Sequence, residues 1–78
     1  MEQKNKKISI SIKMQCYPLL ILEEDEHLYL NAEKLINQLI AKYENWKPNF
    51  SDEGHLSMAL LDLAYHYLKI KEKSKVVE

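Results

Sequence analysis

The chain has 78 residues, 46% of them hydrophobic, with a formal net charge of −1 and a single cysteine, Cys16. That length permits one small domain and leaves no room for a second core. With one cysteine and the scattered histidines His27, His55 and His66, neither a disulfide framework nor a structural metal is expected, so self-association is the remaining way to stabilise so short a chain.

Residues Met1 to Lys7 read as a flexible, polar N-terminus, basic and with no apolar run behind them, so nothing signals secretion. The longest wholly apolar runs, such as Leu19 to Leu22, are far shorter than the ~20 residues a membrane helix needs. A lone cysteine in a chain rich in lysine and glutamate suits a reducing, cytoplasmic compartment. Lys4, Lys6, Lys7 and Lys13 make one end locally basic, but the near-neutral total disfavours nucleic acid as a partner.

Ile8, Ile10 and Ile12 alternate with Ser9, Ser11 and Lys13, the period of two that predicts a strand with one buried face. Lys13 to Cys16 interrupts the pattern, and Tyr17-Pro18-Leu19-Leu20-Ile21 resumes it, which predicts a hairpin. Pro18 cannot donate to a ladder and belongs at the start of the second strand or on an outward edge. The turn contains no glycine and no Asn-Gly signal, which leaves its geometry open.

Glu23-Glu24-Asp25-Glu26 marks a helix start, where the macrodipole favours acidic groups. Leu28, Ala32, Leu35, Leu39, Tyr43 and Trp46 then step by three or four, widened by Ile36 and Ile40, and predict a helix with one buried face. Pro48 ends it, because its ring disfavours helical geometry in the residue before it. Ser51 followed by Asp52 and Glu53 predicts an N-cap and a second helix. In that helix Leu56, Leu60, Leu63, Tyr67 and Ile70 repeat at four, three, four and three, a frame that continues to Ser74 and Val77. This is the spacing of a coiled-coil seam, and a helix packed inside a domain shows it too.

The expected fold is therefore α+β, an N-terminal β-hairpin followed by two helices (ββαα), with residues 8–66 as a dimerisation head and 67–78 as the start of a coiled coil. No enzyme is expected. The carboxylates Glu23 to Glu26 lack the enclosure that would set their pKa values apart, and no pair of histidines has the i, i+4 spacing of a helical metal site. Cys16 is expected as a reduced, partly buried thiol in the turn. Gly54 is the only glycine, which rules out a glycine-rich phosphate loop, and no cofactor is expected. Lys13 and Gln15, at the hairpin tip, are the candidates for touching a partner, since an exposed turn on a rigid scaffold is a usual place for recognition.

Three segments resemble the ZapA family of bacterial cell-division proteins: Ile8-Ser9-Ile10-Ser11-Ile12 with Tyr17-Pro18-Leu19, Ala32-Glu33-Lys34-Leu35-Ile36-Asn37, and Ser57-Met58-Ala59-Leu60-Leu61-Asp62-Leu63-Ala64. The resemblance implies a head that dimerises, a second helix whose coiled coil joins two dimers into a homotetramer, and binding to filaments of the tubulin-like protein FtsZ at the division ring. Two heads at opposite ends would crosslink filaments, since linking weak sites raises avidity without new contacts. Relatives often carry a Gly-Arg-like pair where Met14 and Gln15 stand, so Lys13 is expected to supply the basic contact. The seam also has little room before Glu78, whereas the family's coiled coil runs further, which implies a trimmed chain or a weaker tetramer.

Two other readings compete. A ribbon-helix-helix DNA binder would direct Ser9, Ser11 and Lys13 from a basic strand toward base edges, but it uses one strand per subunit and Tyr17 to Ile21 supplies a second. A generic helical adaptor is what any amphipathic two-helix sequence supports.

Overall fold

The computed structural model describes residues 4–77, and the side chains of residues 4–73. Strand β1 (Asn5–Ile12) and strand β2 (Gln15–Leu22) form an antiparallel two-stranded sheet. A 3-10 turn over Glu23–Asp25 leads into helix α1 (Glu26–Trp46), and helix α2 runs over Asp52–Val77. The fold is the expected ββαα. The chain divides into two compact units, Met1–Gln38 and Leu39–Glu78.

In the first unit, Ile12 pairs with Gln15 and the register runs back to Asn5 opposite Leu22. Residues opposite each other share a face, so Ile8, Ile10 and Ile12 lie on the side that carries Leu19, Tyr17 and, opposite Lys6, Ile21. Ile10 and Ile21 are buried there. The strand takes in Asn5, Lys6 and Lys7, which the sequence suggested as solvated head. Lys6 is held by its place opposite Ile21 and by its ammonium group, which donates to Glu26 Oε1 at 2.8 Å. The expected behaviour of Met1 to Gln3 lies outside the described residues.

Pro18 pairs with Ser9, an odd position of β1, three steps from the pair Ile12–Gln15 and four from Asn5–Leu22. The Glu23 N–H donates to the Lys4 carbonyl at 2.8 Å, which assigns the even positions of β1 to the hydrogen-bonded pairs. The nitrogen of Pro18 therefore faces the open edge of β2, where a missing donor costs nothing and discourages pairing with another strand. Because β1 is paired along its whole length within its own chain, it is not the lone ribbon that a ribbon-helix-helix DNA binder would present.

Lys13 and Met14 alone form the turn, with φ of 54° and 67°. Positive φ at both central residues is the pattern of a type I′ turn, which suits the twist of the strands and favours Asn-Gly. Two ordinary side chains in the left-handed region cost about 1–2 kcal/mol each. Met14→Gly is therefore expected to stabilise the hairpin by about 0.5–1 kcal/mol after the greater chain entropy of glycine is subtracted. A chemical denaturation series reads this directly, and an unchanged or lowered midpoint would show that Met14 carries no strain. Cys16 is not in the turn. It is the second residue of β2, opposite Ser11 on the polar face, and its thiol is exposed rather than partly buried.

In the second unit, α1 ends at Trp46, as the proline predicts, and the Lys47 carbonyl accepts the Phe50 N–H at 3.1 Å to close a turn over Pro48 and Asn49. Ser51 caps α2: its Oγ accepts the Gly54 N–H at 3.1 Å and its carbonyl accepts the His55 N–H at 2.9 Å. A β-carbon at Gly54 would lie 3.2 Å from Phe50 Cβ, so the glycine lets the loop aromatic lie against the first turn. Ile40, Tyr43, His55 and Ala59 are the buried ones among the described residues of this unit.

These cores are small, and no large side chain among the described residues is fully enclosed. The buried face expected of α1 is only partly realised. Ile40 and Tyr43 are covered, but Leu28, Leu35 and Trp46 are 57%, 46% and 62% exposed. One hairpin and one further helix do not carry enough apolar surface to cover a 21-residue helix, so the rest of the stripe stays open in a single chain.

Candidate functional site

The hairpin tip is positioned by two side chains of α1 rather than by its own sequence. Glu33 Oε2 accepts the Ser11 N–H at 2.6 Å. Asn37 donates through Nδ2 to the Ser11 carbonyl at 2.8 Å and to the Glu33 carbonyl at 2.9 Å, while its Oδ1 accepts the Lys13 N–H at 3.3 Å. The outer edge of β1 at Ser11, which would otherwise present unpaired backbone groups, is thus satisfied from the helix. The last turn of the hairpin is presented on a rigid support.

Of the two tip residues read from sequence, Lys13 is half-buried and Gln15 is exposed. The Gln15 Oε1 is engaged by the Tyr17 hydroxyl, which donates to it at 3.0 Å. Between them stands Met14, 96% exposed, the most prominent apolar side chain of the tip. Sequence reasoning passed over Met14 because it looked for charge. Tyr17 and Leu19, on one face of β2, and Leu20, on the other, are also exposed.

On α2 the predicted seam divides. Leu56 and Leu63 are half-buried within the chain, whereas Leu60, Tyr67 and Ile70 are 67%, 62% and 67% exposed. The continuation at Ser74 and Val77 lies outside the described side chains. Leu61, Tyr65 and Leu68, each more than half exposed, form a second apolar stripe at i, i+4 and i+7. At about 3.6 residues per turn the two stripes are roughly 150° apart around the helix. A helix apolar on so many sides belongs in an interior, which a single chain does not provide. The second stripe was legible in the spacing, but following one heptad frame hides it.

Between the stripes, α2 is fixed to the end of α1 by a polar knot. Asp62 Oδ2 accepts from the Tyr43 hydroxyl at 2.8 Å and from Lys42 Nζ at 3.3 Å, and His66 Nδ1 lies 2.9 Å from Asp62 Oδ1. The Tyr43 hydroxyl holds the Asp62 carboxyl below its usual range, with Lys42 adding to the effect against the opposing influence of burial. The same hydrogen bond, with burial, pushes the Tyr43 phenol up. The knot lies inside Ser57 to Ala64, the third segment of the sequence resemblance, and gives its one carboxylate a packing role.

His27 and His66 are exposed and His55 is buried. No described helix is long and apolar enough to cross a membrane. No match to the chain was found among curated proteins or among solved structures. The family model described as "Cell division protein ZapA" matches residues 8–78. That span takes in the hairpin tip, the clamp from Glu33 and Asn37, the Asp62 knot and both apolar stripes, and the chain belongs to the ZapA family of cell-division proteins.

Proposed function

We propose that this protein is cytoplasmic, binds FtsZ filaments at the division ring and crosslinks them from the two ends of a homo-oligomer, without catalysis. The family match over residues 8–78 carries this reading. The surface left open by the single chain supports the oligomer. Leu60, Tyr67 and Ile70 form the exposed part of a seam that includes Leu56 and Leu63, and this seam pairs with a second copy. A helix with two separated apolar stripes suits assembly beyond a dimer, since each stripe needs its own cover.

The filament contact is placed at the hairpin tip, with Lys13 as the basic group and Gln15 beside it. The tip is held by Asn37 and Glu33, so binding meets little ordering cost there. A tetramer would then carry heads at opposite ends, and weak contacts at each would sum to bundling by avidity.

Sedimentation of polymerised FtsZ with and without the protein tests this. Co-pelleting with thicker bundles is expected, weakening as salt rises because the contact is partly ionic. No co-pelleting at low salt would remove the filament reading and leave a small self-associating protein. Lys13→Glu is expected to weaken bundling several-fold while leaving the oligomer's mass unchanged, and equal bundling by that variant would take Lys13 out of the contact.

A further inference from the structure

We propose that Glu44, Asp52 and His55 form a binding site for a borderline divalent cation of the Zn²⁺ type, at the turn that joins α1 to α2. The inference does not rest on the filament reading. One ring nitrogen of His55 and one carboxylate oxygen each from Glu44 and Asp52 lie within 4.8 Å of one another. Ligands of one tetrahedral Zn²⁺ at about 2.1 Å stand roughly 3.4 Å apart, so a closing of at most about 1.4 Å completes the set. Two exposed side chains on the edge of a turn can supply that movement.

The second observation is the imidazole itself. His55 is 5% exposed, and its Nε2 is 2.8 Å from the Lys47 carbonyl oxygen, an acceptor only, so Nε2 carries the proton. That leaves Nδ1 with a lone pair, and Nδ1 is a buried polar atom without a hydrogen-bond partner. Such an atom costs stability unless something occupies it. A histidine that donates one ring N–H to a backbone carbonyl and offers the other nitrogen is the usual arrangement of a metal ligand, since the carbonyl fixes both tautomer and ring orientation. Phe50 stacks over the ring, with centroids 6.3 Å apart and planes 26° apart, and restricts its rotation further.

Sequence and electrostatics agree with the geometry. Asp52 and His55 are three residues apart in the first turn of α2 and so share a face. Glu44 lies in the last turn of α1, which holds no basic residue, so its charge adds to the negative end of the helix dipole and a cation there relieves both. Two carboxylates and a neutral imidazole balance a divalent ion. Glu44 and Asp52 each interact with another group as well, and a carboxylate with two oxygens and about four lone-pair sites can keep that interaction and still offer one. Imidazole favours Zn²⁺ over Mg²⁺ or Ca²⁺, which prefer oxygen alone. A search for His–His pairs misses this set, because its signal is an Asp-x-x-His spacing joined by a residue from the preceding helix.

The test is titration of the full chain with Zn²⁺ alone, with Co²⁺ as a spectroscopic reporter and nitrogen NMR of the histidines. Saturable binding at one ion per chain is expected, with the shift confined to His55 Nδ1 and no displacement by Mg²⁺ or Ca²⁺. Replacing buried His55 risks the fold, so the exposed ligands are changed instead. Glu44→Gln and Asp52→Asn should each leave the circular dichroism intact and weaken Zn²⁺ by at least about tenfold, the loss already typical of disturbing a ligand's outer partner. Absence of saturable binding would overturn the site. So would binding undiminished in both variants, which would put the ion on His27, His66 or Cys16.

Discussion

Ile70→Glu is expected to dissociate the assembly while leaving the fold of each chain intact. Ile70 is 67% exposed in the single chain, so a glutamate there meets water and, in a helix, is as well tolerated as isoleucine. In a paired seam the same carboxylate is buried without a partner, which costs about 3–5 kcal/mol, or roughly two to four orders of magnitude in the association constant. Sedimentation equilibrium would show the lower mass and circular dichroism an unchanged helix content. Leu63→Glu makes a poorer test, since Leu63 is half-buried within its own chain and the change strikes folding and association together. Leu68→Glu, on the other stripe, separates the two interfaces. If only this variant changes the mass, the stripe of Leu61, Tyr65 and Leu68 holds the copies together, and the heptad seam does not.

How much of this was legible in the sequence differs by element, and the differences have physical causes. Alternation at Ile8, Ile10 and Ile12 gave the strand because one face of the hairpin is covered and the other is not. The helix boundaries at Glu26, Trp46 and Asp52 followed from charge, proline and the Ser51 cap, all of which act locally. The turn did not follow, because its residues have no preference for the conformation they hold. Lys13 and Met14 are kept at positive φ by a register fixed through the strands, and the tip is tied by Glu33 and Asn37, more than 20 residues away. Lys6 read as solvated for the same reason, since its partner Glu26 is 20 residues on. Spacing on α1 and α2 showed which residues form stripes but not what covers them, since covering depends on the partner as much as on the helix. Ala59 shows this from the other side. It is 2% exposed beside Leu60 at 67%, so the small residue is the one the chain itself buries, and the leucine is left open.

The clamp on the hairpin gives the other large effect. Asn37→Asp is expected to lower stability by about 2–3 kcal/mol, more than Asn37→Ala. As an amide, the side chain donates to two carbonyls, at Ser11 and Glu33, and accepts from the Lys13 N–H, so each of its ends matches its neighbours. Alanine removes three hydrogen bonds and leaves part-buried backbone groups that water can reach, at roughly 0.5 kcal/mol for each bond lost. Aspartate keeps the acceptor but turns the donor into a second anionic oxygen facing both carbonyls, four residues from the Glu33 carboxylate on the same helix face. For a domain of this size the loss corresponds to a melting temperature lower by on the order of 10 °C, read at fixed protein concentration because association also shifts it. Amide exchange locates the effect, since Ser11 and Lys13 should lose protection ahead of the α2 amides. A variant that melts with the wild type would mean that the turn is held by its strands alone. In that case Lys13 is presented by a flexible tip, and the rigid presentation on which the filament contact depends is lost.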